Sequence, residues 1–210
     1  MYTLLGAPGA ASWVVHWLLI ELQVPHEFRH VDLAAKAHKT PEFLKLNPSG
    51  VVPVLLIDGE PMCEAAAIAL LLAERHPEGE LAPPVGSVGR VPYLQWMLYF
   101  ANTLQPAFRA WFYPHEAAGS ASEAAVATAA RSRIEAAWQY LDDHLSARGP
   151  YLAGSAPSAT DFHGVMLARW SRTMPKPATH WPAVAAWVAR MKARPSFKLV
   201  NDSEGLTDWT

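Results

Sequence analysis

Cysteine is almost missing from this 210-residue chain, which has only Cys63. An intramolecular disulfide is therefore excluded, a cysteine-ligated zinc site is unsupported, and no metal is expected. A lone thiol suits a reducing compartment, so the cytoplasm is the expected location. Runs of one charge are absent too. Seventeen Lys and Arg stand against nineteen Asp and Glu, a formal net charge of −2 with no basic stretch, and nucleic acid is not a favoured partner. A long charge-free apolar run is also lacking. The first 24 residues are apolar, but no Lys or Arg precedes them and His16 and Glu21 interrupt them. They read as a buried helix, not as a signal peptide or a membrane span.

What the chain does have is core material: 51% hydrophobic residues, including nine Trp. This is enough for one large domain or two small ones. Tyr2 to Leu5 reads as a strand ended by Gly6, Pro8 and Gly9. From Ser12, the residues Val14, Val15, Leu18, Leu19 and Leu22 recur at helical spacing. Phe28 to Leu33 is a second strand candidate, and the helix between the two predicts right-handed parallel pairing. The stretch 80–89, ELAPPVGSVG, is a linker by composition. Helical patterns follow over 90–112, 122–145, 158–172 and 181–194, with Ile134, Trp138, Leu141 and Leu145 on one stripe. Ser158 to Asp161, SATD, reads as a helix cap and not as catalytic machinery.

The most informative stretch is 47–68, NPSGVVPVLLIDGEPMCEAAAI. Asn47, Pro48, Ser49 and Gly50 are turn formers, Val54 to Ile57 is a short buried strand, and Asp58–Gly59 closes a hairpin that returns over Pro61 to Cys63. Pro53 suits only the first position of a strand. A cis bond before it would turn the amide and carbonyl of Val52 outward, where an extended peptide could pair with them. Ten residues on, Glu64 and Ala65 open a helix whose free amides attract a carboxylate, while the acid side chain attracts an ammonium. A peptide-like ligand with an amino-acid end fits both.

These residues resemble the glutathione-binding stretch of the glutathione S-transferase family, NPxGxVP followed by a Glu-Ser pair and an Ile. Asn47, Pro48, Gly50, Val52, Pro53, Glu64 and Ile68 match, with Ala65 in place of the Ser. The resemblance implies a thioredoxin-like α/β domain (βαβαββα) over 1–78, a linker over 79–89 and an all-helical domain over 90–210. It also implies a cytoplasmic, homodimeric transferase of detoxification that activates glutathione for attack on a hydrophobic electrophile. Related glutathione-dependent isomerase, peroxidase or dehalogenase chemistry, and glutathione binding without turnover, stay open.

The family's thiol-activating group sits at the start of the first helix. There PGAASWVVHWLL, residues 8–19, is similar to the beta class pattern PGACSxxPHIAL, with Ala11 where that class has cysteine. Ser12 is then the candidate catalytic hydroxyl, with Ala11 beside the thiol; His16 reads as a core residue and Tyr2 as an outside candidate. Lowering a thiol pKa of ~8.5 by two units takes about 2.7 kcal/mol, within reach of a hydroxyl plus helix-terminal amides. His38 and Lys39 resemble the phi class pair that holds the glycine carboxylate, with Lys36 as a reserve cation. Val52 and Pro53 would pair with the cysteinyl backbone, and Glu64 with the γ-glutamyl ammonium. For the electrophile, Tyr99, Asn102, Gln105, Phe108 and Tyr113 offer an aromatic wall with polar groups. Beta-class enzymes have His and Lys where Gln105 and Pro106 stand.

Overall fold

The structure is a computed structural model that describes residues 1–118 and 122–209. It has two compact units, Met1–Ala82 together with Lys192–Thr210, and Pro83–Met191.

The first unit is built on a four-stranded sheet in the order β2-β1-β3-β4, from β1 (Tyr2–Gly6), β2 (His26–His30), β3 (Val54–Ile57) and β4 (Glu60–Met62). The crossover helix α1 (Ser12–Glu21) makes the β1–β2 pair parallel, and both other pairs are antiparallel. Asp58 and Gly59 turn the β3–β4 hairpin with positive φ at both positions, as a two-residue loop of the I′ kind requires. α2 (Pro41–Leu46) and α3 (Ala65–Arg75) complete the βαβαββα order. From Ser12 to Leu19, α1 is buried on every side, which explains why its apolar residues show no single stripe.

Two elements differ from expectation. β2 lies over His26–His30, two residues earlier than the apolar run suggested, because it is an edge strand and tolerates Glu27, Arg29 and His30 facing solvent. In addition, the chain continues past 194 into α10 (Pro195–Glu204), which belongs to the first unit. Phe197 meets the rings of Trp13 and Trp17 at 5.8 and 5.4 Å, and Trp17 donates to Ser196 across 2.8 Å. The reading that gave all of 90–210 to a helical domain did not anticipate this exchange.

The second unit is helical: α4 (Arg90–Tyr99), α5 (Gln105–Phe112), α6 (Pro114–Ala118), α7 (Glu123–Arg148), α8 (Ala159–Trp170) and α9 (Pro182–Lys192). Between α4 and α5 the backbone widens into a π turn, Phe100–Leu104. Pro106 supplies the reason, since it has no N–H for the carbonyl of Asn102 and its ring crowds that carbonyl. Ile134, Trp138, Leu141 and Leu145 are buried as one stripe of α7. Asp161 is structural: its carboxylate accepts from the amides of Leu152 and Ser158, the Ser158 hydroxyl and the Trp187 indole at 2.8–3.0 Å. Among the described residues no helix is long and apolar enough to cross a membrane.

Candidate functional site

The loop before β3 is wound around Asn47, whose side chain donates to Val51 O at 2.7 Å and accepts from Ser49 N at 3.1 Å. Gly50 has φ +59, and a Cβ there would lie 3.0 Å from the carbonyl oxygen of His38, so only glycine fits the approach. Lys39 ties this loop to the preceding segment, donating to Gly50 O at 2.7 Å. The Val52–Pro53 bond is cis. The Val52 side chain is buried with Ala7, Val31, Phe43 and Val54. Its main-chain N–H and C=O make no hydrogen bond among the described residues, which for a strand-flanking residue leaves an open pairing edge.

Glu64 stands beside that edge. Carrying the β3–β4 register (Leu55↔Met62) two residues further brings Pro53 level with Glu64. The Glu64 backbone has φ 70 and ψ 102, a conformation that costs a non-glycine residue roughly 1–3 kcal/mol. Its carboxylate is exposed and has no partner among the described residues. α3 begins without a side-chain cap, so the amides that follow Glu64, starting with that of the buried Ala65, keep their donor capacity. Cys63 is half-buried against the Phe43 cluster, with its sulfur 3.7 Å from Leu46 O. Burial foremost, and the Glu64 charge, push its thiol above the ordinary range.

At the start of α1 the geometry does not favour the expected role of Ser12. Its side chain is sealed from solvent; the hydroxyl donates to Ala7 O at 3.1 Å and accepts from Ala7 N at 3.0 Å. The only proton on that oxygen is thus engaged inside the chain, and the hydroxyl clamps the loop leading into the helix. The amides of Ala11 and Ser12, by contrast, are unpaired among the described residues. A residue that the sequence reading missed shapes this loop. The carboxylate of Glu204 accepts from the Gly9 amide at 2.8 Å and contacts His16 Nδ1 at 2.8 Å, while the His16 ring stacks on Phe28 at 4.5 Å. His16 is therefore a satisfied core residue. The readable signal for Glu204 was Gly205, which ends α10 with φ 66, the ordinary glycine stop of a helix.

His38 keeps a buried Nδ1 with no hydrogen-bond partner among the described residues. Burial first, then Lys39 and Lys36, lower its pKa, so near neutral pH it offers a hydrogen bond and no charge. Lys36, exposed at φ 57, and Lys39 hold the positive charge of this segment.

In the second unit, Tyr99, Asn102 and Gln105 bracket the π turn. Tyr99 is half-buried against Trp96 and Tyr140, Asn102 is exposed, and Gln105 Oε1 lies 3.0 Å from His163 Nε2. Phe108 differs from the expected pocket wall: it is fully buried beside Phe112, Trp138 and Trp170, and it packs as core. Tyr113 is exposed under the Arg109 guanidinium, 5.4 Å from the ring centre.

Residues 10–75 match the glutathione S-transferase N-terminal domain, and residues 96–195 the glutathione S-transferase C-terminal domain. Glutathione S-transferase 3 of Zea mays is 31% identical over 93% of this chain and 90% of its own length. Glutathione S-transferase GstA of Escherichia coli O157:H7 is 28% identical over 95% and 96%. A solved sphingomonad glutathione S-transferase complexed with glutathione is 32% identical, covers 98% of this chain and all of its own, and superposes with a TM-score of 0.83.

Proposed function

Because the chain belongs to the glutathione S-transferase family, we propose that it is a transferase that holds glutathione on its first unit and activates the thiol for attack on a hydrophobic electrophile. The observation that carries the reading is the open Val52 edge with the strained, unpaired Glu64 beside it. The cysteinyl residue of glutathione pairs with the N–H and C=O of Val52, Glu64 takes the γ-glutamyl ammonium, and the amide of Ala65 takes the neighbouring carboxylate. A charge-assisted bond of this type contributes ~1.5–3 kcal/mol. His38 and Lys39 receive the glycine carboxylate, the first as a neutral donor and the second as a cation.

The thiolate is stabilised by the amides of Ala11 and Ser12 at the positive end of α1. The Ser12 hydroxyl keeps that turn in shape without touching sulfur. Tyr99, Asn102, Gln105 and Tyr113 receive the electrophile, the thiolate forms the carbon–sulfur bond, and the displaced group leaves. Two chains form the working homodimer.

A second reading, glutathione binding without turnover, is favoured by one observation: no side-chain hydroxyl or thiol is free at the head of α1. Calorimetric titration with glutathione, beside turnover on a panel of electrophiles, separates the two. Binding with turnover is expected; binding with none supports the second reading, and no binding removes both.

A further inference from the structure

Three successive carbonyls lead up to the open Val52 edge, and each accepts from a side chain. Lys39 Nζ donates to Gly50 O at 2.7 Å and reaches Ser49 O at 3.5 Å, and Asn47 Nδ2 donates to Val51 O at 2.7 Å. The two donors differ in origin. Asn47 belongs to the loop itself, whereas Lys39 comes from the segment before α2, so its bond fastens the loop to a separate stretch of the first unit. The fit is close: a Cβ on Gly50 would lie 2.8 Å from Lys39 Nζ and 3.0 Å from both His38 O and a Leu44 methyl. A bare glycine at φ +59 is what lets the ammonium reach the carbonyl of that same residue.

An ammonium carries three N–H donors and no acceptor. Gly50 O engages one, Ser49 O lies within reach of a second, and a third is left for a ligand carboxylate. The N–H and C=O of Val52 follow Gly50 by two residues, so holding the Gly50 carbonyl restricts the backbone that sets their direction. An edge that a ligand must first order binds that ligand more weakly, in proportion to the fraction of chains already ordered.

We propose that Lys39 is a positioning residue that fixes the loop carrying the Val52 edge, and that it strengthens the hold on glutathione even where the ligand offers no glycine carboxylate. This rests on the glutathione reading above. A lysine serving solely as a counter-charge matters to the carboxylate and to nothing else. A lysine fastening the loop matters to every ligand that pairs with Val52.

Calorimetric titration of the full chain with glutathione and with its ethyl ester, in which the glycine carboxylate is blocked and uncharged, tells the two roles apart. Lys39→Met is expected to weaken binding of the ester by about threefold or more, and binding of glutathione by a larger factor because the carboxylate loses its partner as well. Lys39→Arg keeps a charged donor of similar reach and is expected to recover most of the ester's affinity. An ester that binds equally well to the native chain and to Lys39→Met, or that the native chain fails to bind while binding glutathione, overturns the proposal. Hydrogen exchange reads the loop without any ligand. The amides of Ser49 and Gly50, held by Asn47 at 3.1 and 2.9 Å, are expected to exchange about threefold faster or more in Lys39→Met, while those of α1 and α3 keep their rates. Unchanged exchange at Ser49 and Gly50, or an acceleration spread equally over α1 and α3, also overturns it. A native chain that gives no binding heat with glutathione sinks the glutathione reading instead, and the exchange rates still decide whether Lys39 fastens the loop.

Discussion

Ser12→Ala separates a structural hydroxyl from a catalytic one. In the native chain the Ala7 amide has the Ser12 oxygen as its acceptor, at 3.0 Å in the interior; the Ala7 carbonyl is also reached by Ala10 N at 3.1 Å. Deleting the hydroxyl strands the buried amide, at a cost of ~1–3 kcal/mol, and takes one of two donors from the carbonyl, for a further ~0.5–1 kcal/mol. The expected loss is therefore about 2–3 kcal/mol, a fall in Tm of roughly 4–12 °C for a chain of this size. Glutathione bound to the variant should keep its thiol pKa within about half a unit, read from thiolate absorbance against pH, because the amides of Ala11 and Ser12 remain. A bound thiol that rises by one unit or more, about 1.4 kcal/mol, in a variant with unchanged Tm would refute the structural assignment and return sulfur activation to the hydroxyl.

Two further expectations follow from the same coordinates. Glu64→Gly should release the backbone strain at φ 70 and raise stability by about 1 kcal/mol, while weakening glutathione about 10- to 100-fold; opposite movements of Tm and calorimetric affinity are the signature, and parallel movements would count against a ligand role. For His163, the ordinary value of 6.5 falls to about 4 in the folded state, so below pH 6.5 the unfolded chain takes up the proton first. Stability present above that pH is lost between 6.5 and about 4, on the order of 3 kcal/mol in all. Denaturant unfolding at pH 7 and pH 5 should show a smaller difference in His163→Phe than in the native chain, and an equal difference would place the acid sensitivity elsewhere.

Local chemistry made the third strand and its hairpin readable in advance. Pro53 fixes where the strand begins, and Asp58–Gly59 fixes where it turns, with no help from distant residues. β2 slid because an edge strand is selected by its neighbour's register and can carry charges. α10 was missed because Asn201, Asp202 and Ser203 are weak helix formers; what stabilises it is the contact of Phe197 with Trp13 and Trp17, a tertiary cause. Phe108 looked like a ligand wall and is core because helical spacing alone does not say which aromatic faces inward. Ser12 was correctly located at the head of α1, yet what its proton binds is decided by the path of the Ala7 loop. Pro106 lay inside a stretch read as one helical pattern, 90–112, and the π turn at Phe100–Leu104 was not read from it.

The grip of Glu204 on Gly9 and His16 bears on how this molecule is made. A ribosome releases residues 1–80 long before it supplies the carboxylate that secures the loop after β1, so the nascent sheet waits without the ring that packs on Trp13 and Trp17. Any fragment cut at Ala82, however well its strands pair, inherits that vacancy. The loop between β1 and α1 is thus finished by a residue that follows it by 195 positions.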